Sequence, residues 1–120
     1  MGKYAFPAIY RIRRGADFQR AYGKRCAVSD GNLLIFGCEN GLPYPRLGLS
    51  VSKRLGNAVV RNRWKRILRE AFRLHRERLP VGIDLVIVPR ESGTPDLDRA
   101  GASLRRLAPR LAKKLGRLRD

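Results

Sequence analysis

Between Arg61 and Arg78 the chain places eight basic side chains and only two acids, Glu70 and Glu77, so this stretch alone carries a net charge of +6. At ~100° per residue, Arg61, Asn62, Lys65, Arg66, Arg69 and Arg73 fall on one side of a helix and form a continuous basic face. A solvated helix face ordinarily mixes signs at i,i+4 spacing, whereas this one mostly stacks like charges that repel. Phosphate oxygens would supply the missing counter-charge, and guanidinium meets them through a planar, often bidentate fork. The whole chain shares the bias: 27 Lys and Arg, 21 of them Arg, stand against 10 Asp and Glu, for a net charge of +17 in 120 residues. That balance implies a polyanionic partner, and the preference for arginine points to nucleic acid more than to a membrane surface.

Catalytic constellations are missing from the same sequence. With one histidine, His75, there is no Ser-His-Asp or Cys-His arrangement and no His-rich metal site. Cys26 and Cys38 form no Cys-x-x-Cys pair and read as reduced thiols in strands. A two-metal nuclease needs clustered carboxylates, but the acids here are scattered, with Asp84 inside a hydrophobic strand. No catalytic residue and no metal ligand are therefore assigned. The longest apolar runs, such as Leu85 to Val88, are far short of the ~20 residues a membrane helix needs, and no signal segment opens the chain. The expectation is a cytoplasmic protein without a membrane partner. At 13.6 kDa and 43% hydrophobic residues, one domain over 1–120 is expected.

The elements that must position the basic face follow from periodicity. Asn57 is a plausible N-cap, and Val60, Trp64, Ile67, Leu68, Ala71, Phe72 and His75 recur at helical spacing up to Pro80. Upstream, Gly15 to Gly23 reads as a short helix with Phe18 and Tyr22 on one face and Gly23 as its stop. Arg25 to Ser29 and Asn32 to Cys38 read as two strands around the turn dipeptide Asp30-Gly31. Gly41 to Pro45 is loop, and Leu47 to Ser52 alternates as a strand with Leu47, Leu49 and Val51 toward a core and the other face open. Ile83 to Val88 has the unbroken aliphatic character of a central strand. A last helix starts at Pro95-Asp96 with Leu97, Leu104, Leu107, Leu111, Leu115 and Leu118 in a stripe, and Pro109 is expected to kink or break it into two. The order predicts an α+β fold around one small sheet.

The run Lys53-Arg54-Leu55-Gly56-Asn57-Ala58-Val59-Val60-Arg61-Asn62-Arg63-Trp64-Lys65-Arg66 resembles the signature of the bacterial ribonuclease P protein subunit, centred on its Arg-Asn-Arg motif. The resemblance continues through Leu68-Arg69-Glu70-Ala71-Phe72-Arg73, back through Gly48-Leu49-Ser50-Val51-Ser52, and to Asp17-Phe18 with Tyr22, covering roughly residues 11 to 90. It implies a protein cofactor of a ribozyme, whose RNA subunit, with bound Mg²⁺, hydrolyses precursor tRNA to release the 5′ leader. It also implies a small αβ sandwich with a four-stranded sheet, ribosomal protein S5 domain 2-like, whose βαβ crossover has the uncommon left hand. On this resemblance Arg61, Asn62, Arg63, Lys65, Arg66 and Arg69 contact the catalytic RNA, and the leader lies in a cleft between the first helix, the sheet and the Arg-rich helix. Trp64 departs from the aliphatic residue usual in the motif, and its place in the apolar arc makes it a core residue.

The residues themselves suit that cleft. Phe18 and Tyr22 on the first helix, with Leu34 and Phe36 on one face of the second strand, could stack splayed bases without choosing a sequence. Ser50 and Ser52, on the open face of the third strand beside Lys53, could contact phosphates or a 2′-hydroxyl. The same positions also suit ordinary core packing for Phe18 and Leu34 and a solvated strand face for the serines. A ribosomal protein bound to structured RNA would explain charge and size equally well, and only the Arg-Asn-Arg block separates the two. A helix-turn-helix DNA binder would need a compact helix pair where this chain places strands beside the basic helix. Beyond Pro95 there is no family signature, so RNA contact by Arg105, Arg106, Lys113 or Lys114 is left open.

Overall fold

The computed structural model describes residues 6–119 and, of these, the side chains of residues 6–117, so that Leu118 of the expected apolar stripe falls outside it. Helix α1 (Gly15–Gly23) leads into strand β1 (Ala27–Ser29), then β2 (Leu33–Glu39), β3 (Arg46–Leu49), helix α2 (Ala58–His75), β4 (Ile83–Pro89) and helix α3 (Leu97–Arg119). The strands form one sheet in the order β1-β2-β4-β3. β2 is antiparallel to both β1 and β4, while β3 and β4 run parallel and are joined by α2 as a βαβ unit. This is the four-stranded α+β architecture that the sequence predicts.

The β1–β2 hairpin is built by Asp30. Its Oδ1 accepts from the backbone N–H of Asn32 and Leu33, both at 2.8 Å, and its own N–H donates to the Leu33 carbonyl. β1 is shorter than expected. Arg25 adopts φ 54° and donates to the Tyr22 carbonyl, which closes α1 and leaves Arg25 and Cys26 ahead of the strand. Cys26 is thus not in a strand as expected, although both cysteines are free and buried. β3 is also displaced from the expected Leu47 to Ser52. Ser50 N–H still donates to Ile87 O at 3.0 Å, but Ser52 turns away and its side chain accepts from Arg54 N–H, capping a 3-10 turn over Lys53–Leu55.

α2 and α3 pack side by side on one face of the sheet. Trp64, Leu68, Ala71 and Phe72 from α2, with Leu104, Leu107, Ala108, Leu111 and Leu115 from α3, meet Leu33, Ile35, Leu47, Ile83, Leu85 and Ile87 in the main core. The departure of Trp64 from the aliphatic pattern is absorbed there, at 1% exposure. Pro109 does not break α3, which runs through it uninterrupted. The proline is exposed, so the Arg105 carbonyl that loses its partner can bond water, while the leucines before and after it stay packed.

On the opposite face α1 covers only part of the sheet. Ala21 and Phe18 pack on Ile12, Cys38, Val86 and Phe36, so the face expected to be open is closed at this end. Beneath α1 lies Asp84, fully buried; it accepts from Arg46 Nε at 2.8 Å and Nη2 at 2.7 Å and from Asn40 Nδ2 at 2.9 Å. The acid that looked misplaced in a hydrophobic strand is the centre of a structural ion pair. Among the described residues no helix is long and apolar enough to cross a membrane.

Candidate nucleic-acid interface

The basic helix starts at a defined point. Gly56 holds φ 140°, a conformation few side chains permit, and Asn57 then caps α2 by accepting from Val60 N–H at 3.1 Å. From that start the helix divides its cations. Asn62, Arg63 and Arg66 are exposed on the outside, while Lys65 and Arg69 are half-buried and turn toward α1. Arg61 is also half-buried, and its Nε has no hydrogen-bond partner in the folded chain. Arg73 is already engaged by Glu70 through two hydrogen bonds of 2.7 and 2.9 Å, which holds the Glu70 carboxyl below its ordinary pKa. The basic face read from the sequence is therefore interrupted at Arg73.

Lys65 and Arg69 border a cleft of about 220 Å³ between α1, β3 and α2, whose wall also includes Arg11, Phe6, Phe18 and Gly48. Phe18 reaches the floor because β3 has no side chain there: a Cβ on Gly48 would lie 2.8 Å from the Phe18 ring. Among the described residues three cations converge on this cleft and no acid lines it. Burial and then the neighbouring Arg11 push the Arg69 guanidinium below its ordinary pKa. An anionic chain with flat apolar groups would meet charge on the walls and a ring on the floor.

The other residues singled out in the sequence are distributed along the same sheet face. Phe36 is half-buried beside Tyr22, the two rings meeting edge to face at 5.0 Å. Leu34 and Ser52 line a second depression of about 560 Å³, together with Arg54, Val88 and Arg90. Ser50 is half-buried just beyond β3, and Lys53 is exposed at the start of its 3-10 turn. Phe18 thus sits with Lys65 and Arg69, whereas Leu34 sits with Ser52, so the expected set is divided between these two depressions. Sequence reasoning missed Phe6, Arg11, Arg54 and Arg90. Arg11 enters because the segment before α1 runs alongside β3, with Ile12 N–H donating to Leu47 O at 2.9 Å, and no periodicity marks that pairing.

Fold and site together define a small, strongly basic α+β protein whose cation-rich helix α2 flanks a cleft lined by Arg11, Lys65 and Arg69 around the ring of Phe18. Residues 6–112 match the family model described as Ribonuclease P, and the chain belongs to that family. The ribonuclease P protein component of Desulfovibrio desulfuricans is 41% identical over 120 residues, spanning 96% of this chain and 92% of that one. The corresponding protein of Alkaliphilus oremlandii is 40% identical over 85 residues, 71% of this chain and 75% of its own. Among solved structures, the RNase P protein of Staphylococcus aureus is 36% identical with a TM-score of 0.72, covering 88% of this chain and 97% of that one. The RNase P protein of Thermotoga maritima is 28% identical with a TM-score of 0.72, covering 80% and 96%. The ribosomal-protein alternative falls with the family match.

Proposed function

We propose that this protein is the protein subunit of a cytoplasmic ribonuclease P particle, and that it binds both the catalytic RNA and the single-stranded 5′ leader of precursor tRNA. In this reading the exposed Asn62, Arg63 and Arg66, with Arg61, face the RNA subunit. Lys65, Arg69 and Arg11 instead hold leader phosphates over Phe18. The observation that carries the reading is that cleft: three cations with no acid around an aromatic floor. Beyond it, the strip from Tyr22 and Phe36 to Leu34, Ser50, Ser52 and Lys53 continues the path with apolar and hydroxyl groups suited to bases and 2′-hydroxyls.

Cleavage of the phosphodiester, in this reading, belongs to the RNA subunit and its Mg²⁺. The chain's own carboxylates suit that division: Asp84 is engaged by Arg46 and Asn40, and Glu70 by Arg73. Purified protein should not release the leader without the RNA.

The test is made on the particle reconstituted with a bacterial ribonuclease P RNA. Phe18→Ala should weaken precursor tRNA binding by about 1 to 3 kcal/mol per stacked base and leave mature tRNA binding nearly unchanged. Equal losses for both tRNAs would mean that Phe18 serves packing alone, and the leader reading fails.

A further inference from the structure

The cations of α3 take no part in the cleft and need their own account. The exposed part of this helix carries seven of them, Arg99, Arg105, Arg106, Arg110, Lys113, Lys114 and Arg117, against Asp98 alone after the helix begins. Two are tied down. Arg106 pairs with Asp30 of the hairpin, and Lys114 Nζ donates to Ala27 O at 2.8 Å. These contacts set the helix beside β1, the edge strand. The side chains of four others, Arg99, Arg110, Lys113 and Arg117, form no ion pair among the described residues, although the Arg99 guanidinium donates to Thr94 Oγ1 at 3.3 Å and its backbone N–H to Asp96 Oδ2 at 2.9 Å. At ~100° per residue they lie within about 60° of one another, in a row about 27 Å long. Attraction to the helix C-terminus accounts for Lys113 and Arg117 at most, since that field fades within the last turn or so.

We propose that this row binds the phosphate backbone of double-helical RNA, as a second RNA contact separate from the cleft. A straight row of cations on a rigid helix suits a duplex, whose phosphates are regularly spaced and whose bases are hidden. α3 also has no aromatic residue, so it offers no platform on which single-stranded bases could stack. The location keeps the two contacts independent: α2 packs against β3 at one edge of the sheet, and α3 against β1 and β2 toward the other. Two RNA segments, one single-stranded and one paired, can therefore be held at once.

The experiment titrates the full-length protein with a blunt RNA duplex of about 20 base pairs, longer than the row, over a range of salt concentrations. The triple variant Arg110→Ala/Lys113→Ala/Arg117→Ala should bind it more weakly, with the slope of log K against log salt reduced by about 2 to 3. The cleft variant Lys65→Ala/Arg69→Ala should retain the wild-type slope for the duplex and lose affinity for a single-stranded leader. Melting curves verify folding, and the single variant Arg110→Ala, expected to reduce the slope by about 0.9, substitutes if the triple variant does not fold. An unchanged duplex slope in the folded α3 variant overturns the proposal. So does loss of binding to anionic lipid vesicles in place of duplex.

Discussion

The two faces of the sheet are built from the same strands and end in opposite states. Toward α2 and α3 the inward residues of the two central strands are sealed, with Leu33, Ile35, Leu85 and Ile87 all at 0% exposure, and only Val28 and Leu49 on the edge strands are half-buried. Toward α1 the seal is partial. Val86 and Cys38 are buried, but Leu34, Val88 and Ser50 remain half-exposed. Helix length explains the contrast. α2 and α3 have 18 and 23 residues, while α1 has nine, about 14 Å at 1.5 Å per residue. β2 and β4 have seven residues each and extend roughly 23 Å, so α1 cannot cover them. The candidate binding surface is the strip that the short helix leaves uncovered, with α2 supplying charge along its border.

This contrast is open to direct attack. Phe72→Ala on the sealed face should cost about 3 to 5 kcal/mol in denaturant unfolding, because a fully buried ring leaves a cavity its neighbours cannot fill. A loss below about 1 kcal/mol would show that this face is looser than the packing indicates. Under α1, Asp84→Asn should cost about 1 to 3 kcal/mol, since it removes the nearer of the two carboxylates that pair with Arg46 and leaves Asp17, at 3.6 Å, as the remaining counter-charge. Equal stability of the variant and the parent would mean that Asp17 alone suffices to hold Arg46 and that the buried pair adds nothing. The smallest effect belongs to the uncovered strip. Leu34→Ala should lower stability by less than about 1 kcal/mol, and its melting temperature should hardly move. A drop comparable to that of Phe72→Ala would place Leu34 in a core and abolish the difference between the faces.

Much of this was written in local pattern. The capping Asn57 and the 3.6-residue recurrence of Trp64, Leu68 and Phe72 determined α2 and its buried side, because helix caps and amphipathic stripes are set by residues within a few turns. Gly15–Gly23 as a helix, the Asp30 turn and the central position of β4 were legible for the same reason, and the Arg-Asn-Arg block carried the family. Other features were not legible in the pattern. Ser52 left its strand for a cap on Arg54 that competes locally with strand pairing, and Pro109 was accommodated because tertiary packing on both sides of it outweighed one lost hydrogen bond exposed to water. Which cations would converge was equally hidden. Lys65 and Arg69 were legible as basic, but only the pairing of Ile12 with Leu47 brings Arg11 beside them, and only the missing side chain of Gly48 lets Phe18 form their floor. Charge and periodicity are local properties of a chain; a cleft is a relation among segments, and tertiary packing creates it.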